Sequence, residues 1–197
     1  QAIASMAYIQ KVDKIVGPGN KFVAEAKRQI SGKIVGTETM FAGPSEICVV
    51  ADKFTNINQI ATSLVSQAEH DPNSQCILVT KDKTILPKVN LAIKKIIKLL
   101  PRKKIATQSL KNHGLMILIK NDKEIIDTIN LIAPEHLEIN VKNYKKYINK
   151  IYNVGSICNG KFTPMSLSDY TVGTNHILPT SGSAKFSSGL SINEFIK

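Results

Sequence analysis

Short apolar runs rich in β-branched residues recur along this chain of 197 residues and alternate with longer stretches of mixed polarity. We predict strands at VDKIV (12–16), EICVVA (46–51), CILVT (76–80), LMILI (115–119), LEINV (137–141) and SIC (156–158). Between most of them lie segments of about 10 to 16 residues with the spacing of amphipathic helices. Near-continuous apolar strands that alternate with helices are typical of a mostly parallel sheet covered on both faces. We therefore predict a doubly wound α/β fold with its sites at strand ends.

The segment from Asn56 to His70 illustrates the helical pattern. Its apolar residues recur at i, i+3, i+4 and i+7, and Asn56 is suited to cap the first turn. Pro72 disfavours helical geometry at the residue before it, so we expect the helix to end near His70. At about 100° per residue, Gln67 and His70 fall outside the apolar stripe and roughly 60° apart. Both side chains can therefore point at something outside the core contact of the helix.

A strand, a glycine-rich turn and a helix are predicted near the start, in VDKIVGPGNKFVAEAKRQI (12–30). Dinucleotide-binding units have this arrangement, but the turn lacks the full G-x-G-x-x-G spacing and carries Pro18. An ordinary tight turn between strand and helix explains it equally well. After Gly173 the segment GTNHILPTSGSAKFSSG is rich in Thr, Ser, Gly and Pro, which predicts an irregular segment of unusual length.

The net charge of +11, from 26 Lys and Arg against 15 Asp and Glu, raises the possibility of a nucleic-acid partner. The lysines, however, alternate with Ile, Leu and Tyr at helical spacing, as in KKIIKLLPRKK (94–104) and KNYKKYINK (142–150). Solvated helix faces account for this pattern, so we expect no nucleic-acid partner.

Two further features of the composition bear on the cellular location. The chain has neither a run of about 18 apolar residues nor the pattern of a signal peptide, so we expect a cytoplasmic protein with no membrane partner.

Cys48, Cys76 and Cys158 are odd in number, far apart and set in apolar runs. We predict buried thiols rather than disulfides or a cysteine metal cluster.

Two candidate sites combine an imidazole with another polar side chain. His70, with Gln67 three residues before it, could ligate zinc, although an amide oxygen is a rare and weak ligand and both residues could equally be polar surface groups. In APEHLEI, Glu135 and His136 are adjacent and precede a strand. A His can shuttle protons near neutral pH, and a carboxylate can activate water or tune that His. Two polar loop residues would give the same local pattern.

The other candidates lie in a turn and in the irregular segment. SDYTVGTNHILPTSG contains Asp169 and His176, which suit a metal ligand and a polar contact, although an Asp turn and a structural His fit equally well. In AGPSE, a Gly-Pro turn presents Ser45 just before a strand. Its hydroxyl could hydrogen-bond a ligand or simply complete the turn.

Taken together, GPGN, AGPSE, SQAEH, PEH and SDY followed by GTNHILPTSG resemble the motifs of the histidinol dehydrogenase family in order and spacing, from Gln1 to Lys197. The resemblance implies Rossmann-like domains without the standard glycine fingerprint, one zinc ion per subunit, NAD as cofactor and a homodimer. It also implies two successive NAD-dependent oxidations that convert L-histidinol to L-histidine through histidinaldehyde and complete histidine biosynthesis.

The same resemblance assigns roles to individual residues. It implies three zinc ligands: Gln67, His70 and Asp169. It implies a catalytic acid/base pair: Glu135 and His136. In this scheme His136 takes the hydroxyl proton of the alcohol and Glu135 activates the water that hydrates the aldehyde.

Contacts with NAD and with the substrate are implied in the same way. The residues expected to contact NAD are Gln1 and Asn20. The residues expected to contact the substrate are Ser45, Gln67, His70, His136 and Asp169. His176 lies in a segment that resembles the wall of the family's active site, with no defined role.

The sequence departs from the family at both ends. Members of the family are longer, so we expect an internal fragment that lacks a zinc-ligating His and a substrate-contacting Glu, binds zinc weakly and is inactive by itself. We expect residues 1–44 to be part of a Rossmann-like domain that contributes to NAD binding. Residues 45–190 would form a second one with the zinc and catalytic residues, and residues 191–197 would begin a missing segment. Two alternatives stay open: a catalytically inactive relative, and a basic α/β module that binds nucleic acid.

Overall fold

The computed structural model describes residues 1–38, 43–168, 170 and 172–196. Its strands are β1 (Lys14–Ile15), β2 (Gly36–Thr37), β3 (Glu46–Ala51), β4 (Gln75–Thr80), β5 (Gly114–Leu118), β6 (His136–Asn140) and β7 (Ser156–Asn159). Its α-helices are α1 (Ala2–Ala4), which continues as a π-helical segment (Ser5–Gln10), α2 (Lys21–Ile30), α3 (Ile57–His70), α4 (Ile85–Leu99), α5 (Lys103–His113), α6 (Asp122–Ile132) and α7 (Lys145–Ile148). Single 3₁₀ turns occur at Met165–Leu167, Ser183–Lys185 and Ile192–Phe195.

The main sheet is parallel and has the strand order β5-β4-β3-β6-β7. From the central strand β3 the chain moves outward to β4 and β5, and it then returns to the other side of β3 for β6 and β7. This reversal is the doubly wound topology. The predicted fold class is therefore confirmed.

Strand β3 is buried along its whole length, which explains why EICVVA is apolar after its first residue. Ile47 and Val49 belong to the core cluster formed with α3, α4 and α5. Cys48 and Val50 belong to the opposite cluster, formed with α6 and α7. Each buried Val or Ile side chain contributes about 1.5–3 kcal/mol relative to exposure. The alternation of side chains therefore ties both helical layers to one strand.

Helix α3 follows its predicted limits. The side-chain oxygen of Asn56 accepts hydrogen bonds from the N–H groups of Asn58 and Gln59, at 2.9 and 3.3 Å. The helix ends at His70 because Asp71, the residue before Pro72, is extended. The helix thus presents its last turn at one end of the sheet.

The N-terminal segment has its own small sheet and core. Strands β1 and β2 pair in parallel, and Ala7, Ile15, Ile30 and Val35 form a separate apolar cluster. The predicted strand, turn and helix are present, although the strand has only two residues and β2 was not predicted. Within KNYKKYINK only four residues, Lys145–Ile148, are helical.

Several composition-based predictions can be compared with the structure. All three cysteines are buried thiols that form no disulfide within the described residues, as predicted. The lysines of KKIIKLLPRKK are exposed, as expected for solvated helix faces. Within the described ranges, no helix is both long and apolar enough to cross a bilayer.

Candidate active site

A cavity of about 380 Å³ lies between the N-terminal segment and the amino ends of β3 and β6. Among the residues that line it are Asn20, Ser45, His70, Glu135 and His176. These five residues lie in five separate motifs of the sequence. The fold therefore brings four of the predicted site residues, together with His176, around one volume.

Glu135 and His136 occupy the amino end of β6. Nε2 of His136 lies 3.7 Å from Oε1 of Glu135, and each residue is only 6% exposed. The carbonyl of Glu135 accepts a hydrogen bond of 2.8 Å from the N–H of Ser156, which fixes the chain just before β6. A buried imidazole beside a carboxylate at a cavity wall is an arrangement suited to general acid/base chemistry.

Ser45 lies at the end of a turn that is held from two sides. Its carbonyl accepts a hydrogen bond of 3.0 Å from the N–H of Gln75 in the neighbouring strand. Before it, the N–H of Gly43 donates to Oγ1 of Thr180 at 2.5 Å. A Cβ on Gly43 would lie 2.3 Å from Oγ of Ser181 and 2.8 Å from Oγ1 of Thr180, so a larger residue here would have to displace these side chains. The half-buried Ser45 is therefore held rigidly at the cavity.

Gln67 and His70, which fall outside the apolar stripe of α3, differ in environment. His70 is exposed and lines the cavity, whereas Gln67 is only 4% exposed. Ser63 and Gln67 are buried as well as the apolar residues, so the buried arc of α3 is wider than its apolar stripe. That the side chains of Gln67 and His70 point at one site stays a prediction.

The glycine-rich turn before α2 is held by the ammonium group of the buried Lys27. Nζ of Lys27 donates to the carbonyl of Gly17 at 2.6 Å and forms a buried ion pair of 2.5 Å with Glu38. Gly17 has φ +136°, which favours glycine. The side-chain oxygen of Asn20 caps α2, and Asn20 is among the residues that line the cavity.

Three predicted site residues, Gln1, Gln67 and His136, are not among the described residues that line the cavity, although His136 lies beside Glu135, which does line it. Gln1 is exposed at the start of α1. Asp169 lies outside the described residues. Among the described residues no three His, Cys, Asp or Glu side chains form a metal-binding group. Gln67 belongs to none of these residue types, so the three-ligand zinc set is untested.

Sequence reasoning missed Glu46, which follows Ser45 directly. Glu46 is only 8% exposed, and burial raises the pKa of its carboxyl group, partly offset by hydrogen bonds from the N–H groups of Ser181 and Glu135. The signal in the sequence was a charged residue at the first position of a strand that is otherwise wholly apolar. Such a residue is costly to bury unless it is satisfied by specific partners.

The chain is similar to known proteins along its whole length. A family model described as histidinol dehydrogenase matches residues 1–197. Histidinol dehydrogenase from Pelagibacter ubique is 56% identical over 200 residues, covering all of this chain and 46% of that protein. Histidinol dehydrogenase 1 from a Nostoc species is 47% identical over 201 residues, with the same coverage. The chain thus spans about half the length of the curated relatives it matches.

Solved structures give the same result. The crystal structure of histidinol dehydrogenase from Elizabethkingia anophelis matches with a TM-score of 0.95 and 42% identity, over all of this chain and 46% of that one. An acetylating aldehyde dehydrogenase from Geobacillus thermoglucosidasius matches with a TM-score of 0.60 at 14% identity, over 98% of this chain and 56% of that one, which indicates a shared fold alone. The family match over every residue, the sequence identities and the structural agreement together show that the chain belongs to the histidinol dehydrogenase family.

Proposed function

We propose that the full-length protein containing this chain oxidises L-histidinol to L-histidine through histidinaldehyde in two NAD-dependent steps, completing histidine biosynthesis. The observation that carries the proposal is the buried pair of Glu135 and His136 in a chain of this family, with Glu135 lining a cavity together with Ser45 and His70. A general base and a second carboxylate are the groups that these two oxidations require.

In the first oxidation His136 is the proposed base. Hydride can leave the alcohol carbon only as the hydroxyl proton is lost, and a neutral imidazole accepts that proton near neutral pH. Glu135, 3.7 Å from Nε2 of His136, stabilises the imidazolium that results. Ser45 contributes a hydroxyl that can hydrogen-bond the substrate at the same wall.

In the second oxidation Glu135 is the proposed base for water. The aldehyde must first be hydrated, because hydride leaves only from a tetrahedral carbon that still carries one. Glu135 takes a proton from the attacking water while His136 returns the proton it gained in the first step to the aldehyde oxygen. The neutral His136 then accepts the proton of that hydroxyl as hydride leaves. The low exposure of both residues keeps competing solvent away from this exchange.

Zinc and NAD complete the proposal as bound groups. Gln67, His70 and Asp169 would hold zinc, and a nitrogen donor, an amide oxygen and one carboxylate form a set that zinc accepts. His70 fits this role directly, because its imidazole lies at the cavity on the last turn of α3. When bound, zinc would orient the nitrogen atoms of the substrate. Asn20 and Gln1 would contact NAD, the hydride acceptor.

The proposal extends to domain organisation and assembly. Residues 1–44 would be part of a Rossmann-like domain that helps to bind NAD, and residues 45–190 would be the catalytic one. The separate sheet and core of the N-terminal segment support this division. We further propose a cytoplasmic homodimer with one zinc ion per subunit.

Replacing the acid/base pair tests the proposed function. In the full-length protein, His136→Ala and Glu135→Gln should each lower kcat for NAD reduction with L-histidinol by about 10²- to 10⁴-fold, with a much smaller change in KM. The control is His113→Ala, a half-buried histidine at the end of α5 that does not line the cavity. Steady-state rates near wild type in both acid/base variants would refute the assigned roles.

A further inference from the structure

Glu46 and Glu135 lie side by side at the amino ends of neighbouring strands. In the parallel pairing of β3 with β6, Ile47 is opposite His136, so the preceding residues of the two strands are also neighbours. Glu46 is 8% exposed and Glu135 is 6% exposed. Two acidic side chains are thus buried together next to the proposed base.

Each of these residues donates its N–H to the carboxylate of the other. The N–H of Glu46 donates to Oε2 of Glu135 at 2.9 Å. The N–H of Glu135 donates to Oε2 of Glu46 at 3.3 Å. Hydrogen bonds to a charged acceptor are stronger than neutral ones, and burial strengthens them further. The exchange therefore fixes both the side chain of Glu135 and the start of β6 relative to β3.

The second oxygen of Glu46 holds a third segment. Oε1 of Glu46 accepts a hydrogen bond of 3.1 Å from the N–H of Ser181. Ser181 has φ +55°, a left-handed conformation that is unfavourable for a residue with a Cβ, so it needs support from its surroundings. The same segment contributes His176 and Thr180 to the cavity wall. One buried carboxylate therefore connects β3, β6 and the segment around Ser181.

We propose that Glu46 is a positioning residue that holds Glu135 and the cavity wall around Ser181 in the arrangement required for water activation. This inference rests on the proposed function, because Glu135 is the proposed base for water. Glu46 acts through hydrogen bonds alone and exchanges no proton with the substrate. Both of its oxygens accept from N–H groups, so a Gln side chain, with one carbonyl and one NH₂ group, cannot satisfy both partners.

Asp52 provides a matched control at the opposite end of the same strand pair. It directly follows β3, and its carboxylate accepts from the N–H of Phe54 at 2.9 Å and from the N–H of Lys142, just after β6, at 3.0 Å. Like Glu46 it ties β3 to β6 through backbone N–H groups. It differs in lying away from the cavity of the proposed active site.

The test compares Glu46→Gln with Asp52→Asn in the full-length protein. For Glu46→Gln we expect kcat for oxidation of histidinaldehyde to fall by about 10- to 100-fold, because a displacement near 1 Å has effects of that order. KM for L-histidinol should change by less than about threefold. Asp52→Asn should leave both constants near wild type. Full aldehyde oxidation in Glu46→Gln, or an equal loss in Asp52→Asn, would overturn the positioning role.

Hydrogen exchange supplies a readout that needs no turnover. In folded Glu46→Gln, the amides of Glu135 and Ser181 should exchange faster than in wild type, and those around Asp52 should not change. Unchanged exchange at both amides would also overturn the inference. If Glu46→Gln does not fold, Glu46→Asp, which keeps the charge but is too short to reach both partners, is measured in the same way. A wild-type protein without activity on L-histidinol would refute the proposed function instead, and the exchange result would still show whether Glu46 holds Glu135.

Discussion

At the scale of single residues, Asp122 shows how one carboxylate connects separate parts of this fold. Its Oδ1 accepts from Nζ of Lys81 at 2.5 Å and from the hydroxyl of Tyr147 at 2.7 Å, and its Oδ2 accepts from Nζ of Lys146. The hydrogen bonds from Lys146 and then Lys81 lower the pKa of Asp122 below its usual value of 3.8. The loop after β4, the start of α6 and α7 are therefore linked by one charge.

Removing this charge should change the pH dependence of stability. A carboxylate with a lowered pKa in the folded state contributes stability at pH values above its unfolded pKa, and the contribution is lost as the pH falls through the folded pKa. The difference in the free energy of unfolding between wild type and Asp122→Asn should therefore be largest at neutral pH and shrink below about pH 4. Urea unfolding at several pH values measures it. A difference that is constant or grows on acidification would contradict the account. Because the side chain of Asp122 is 37% exposed, added salt should reduce the effect.

Individual site residues differ in how far they could be predicted from the sequence. Glu135 and His136 stood out because an acid and an imidazole are adjacent in a short motif. Glu46 did not, because its importance depends on which strand pairs with β3, and apolar runs do not specify pairing order. The register of β3 with β6 supplies that information and places Glu46 opposite Glu135.

At the scale of elements, α3 was predictable and its environment was not. The Asn56 cap, the apolar spacing and Pro72 are local signals, and the helix has the predicted limits. The burial of Gln67 depends on which elements pack against α3, and that packing is a tertiary feature. The strand predicted at 12–16 is longer than β1, and β2 was not predicted. The helical pattern at 142–150 is longer than α7. In each case few residues carry the pattern of the element.

The last turn of α3 carries the testable part of the zinc proposal. In the full-length protein His70→Ala should weaken zinc binding by at least about tenfold, since even the loss of a partner hydrogen-bonded to a ligand has effects of that size. His113→Ala is the control, because His113 ends α5 as His70 ends α3. Zinc content after dialysis against a chelator series gives the affinity without an activity assay. Equal zinc retention in wild type and His70→Ala would remove His70 from the ligand set.

At the scale of the whole molecule, the apolar runs predicted the parallel doubly wound sheet, since strands buried on both faces must be apolar throughout. They predicted sites at strand ends but not which ends. The cavity lies at the amino ends of β3 and β6, whereas doubly wound sheets more often bind ligands at the carboxyl ends. At the carboxyl ends, Asp52 joins the loops after the same two strands. Which end carries the site depends on the turns and on the N-terminal segment, whose packing has no simple signature in sequence.

We propose that Glu135 and His136 carry out the acid/base steps of a four-electron oxidation of L-histidinol in the full-length protein. The most direct measurement is the amount of NADH formed per L-histidinol consumed by the full-length protein, with L-histidine quantified as product. We expect two NADH and one L-histidine per L-histidinol, formed about 10²- to 10⁴-fold more slowly in His136→Ala. No NADH formed with L-histidinol, one NADH with histidinaldehyde accumulating, or an unchanged rate in His136→Ala would contradict the proposal.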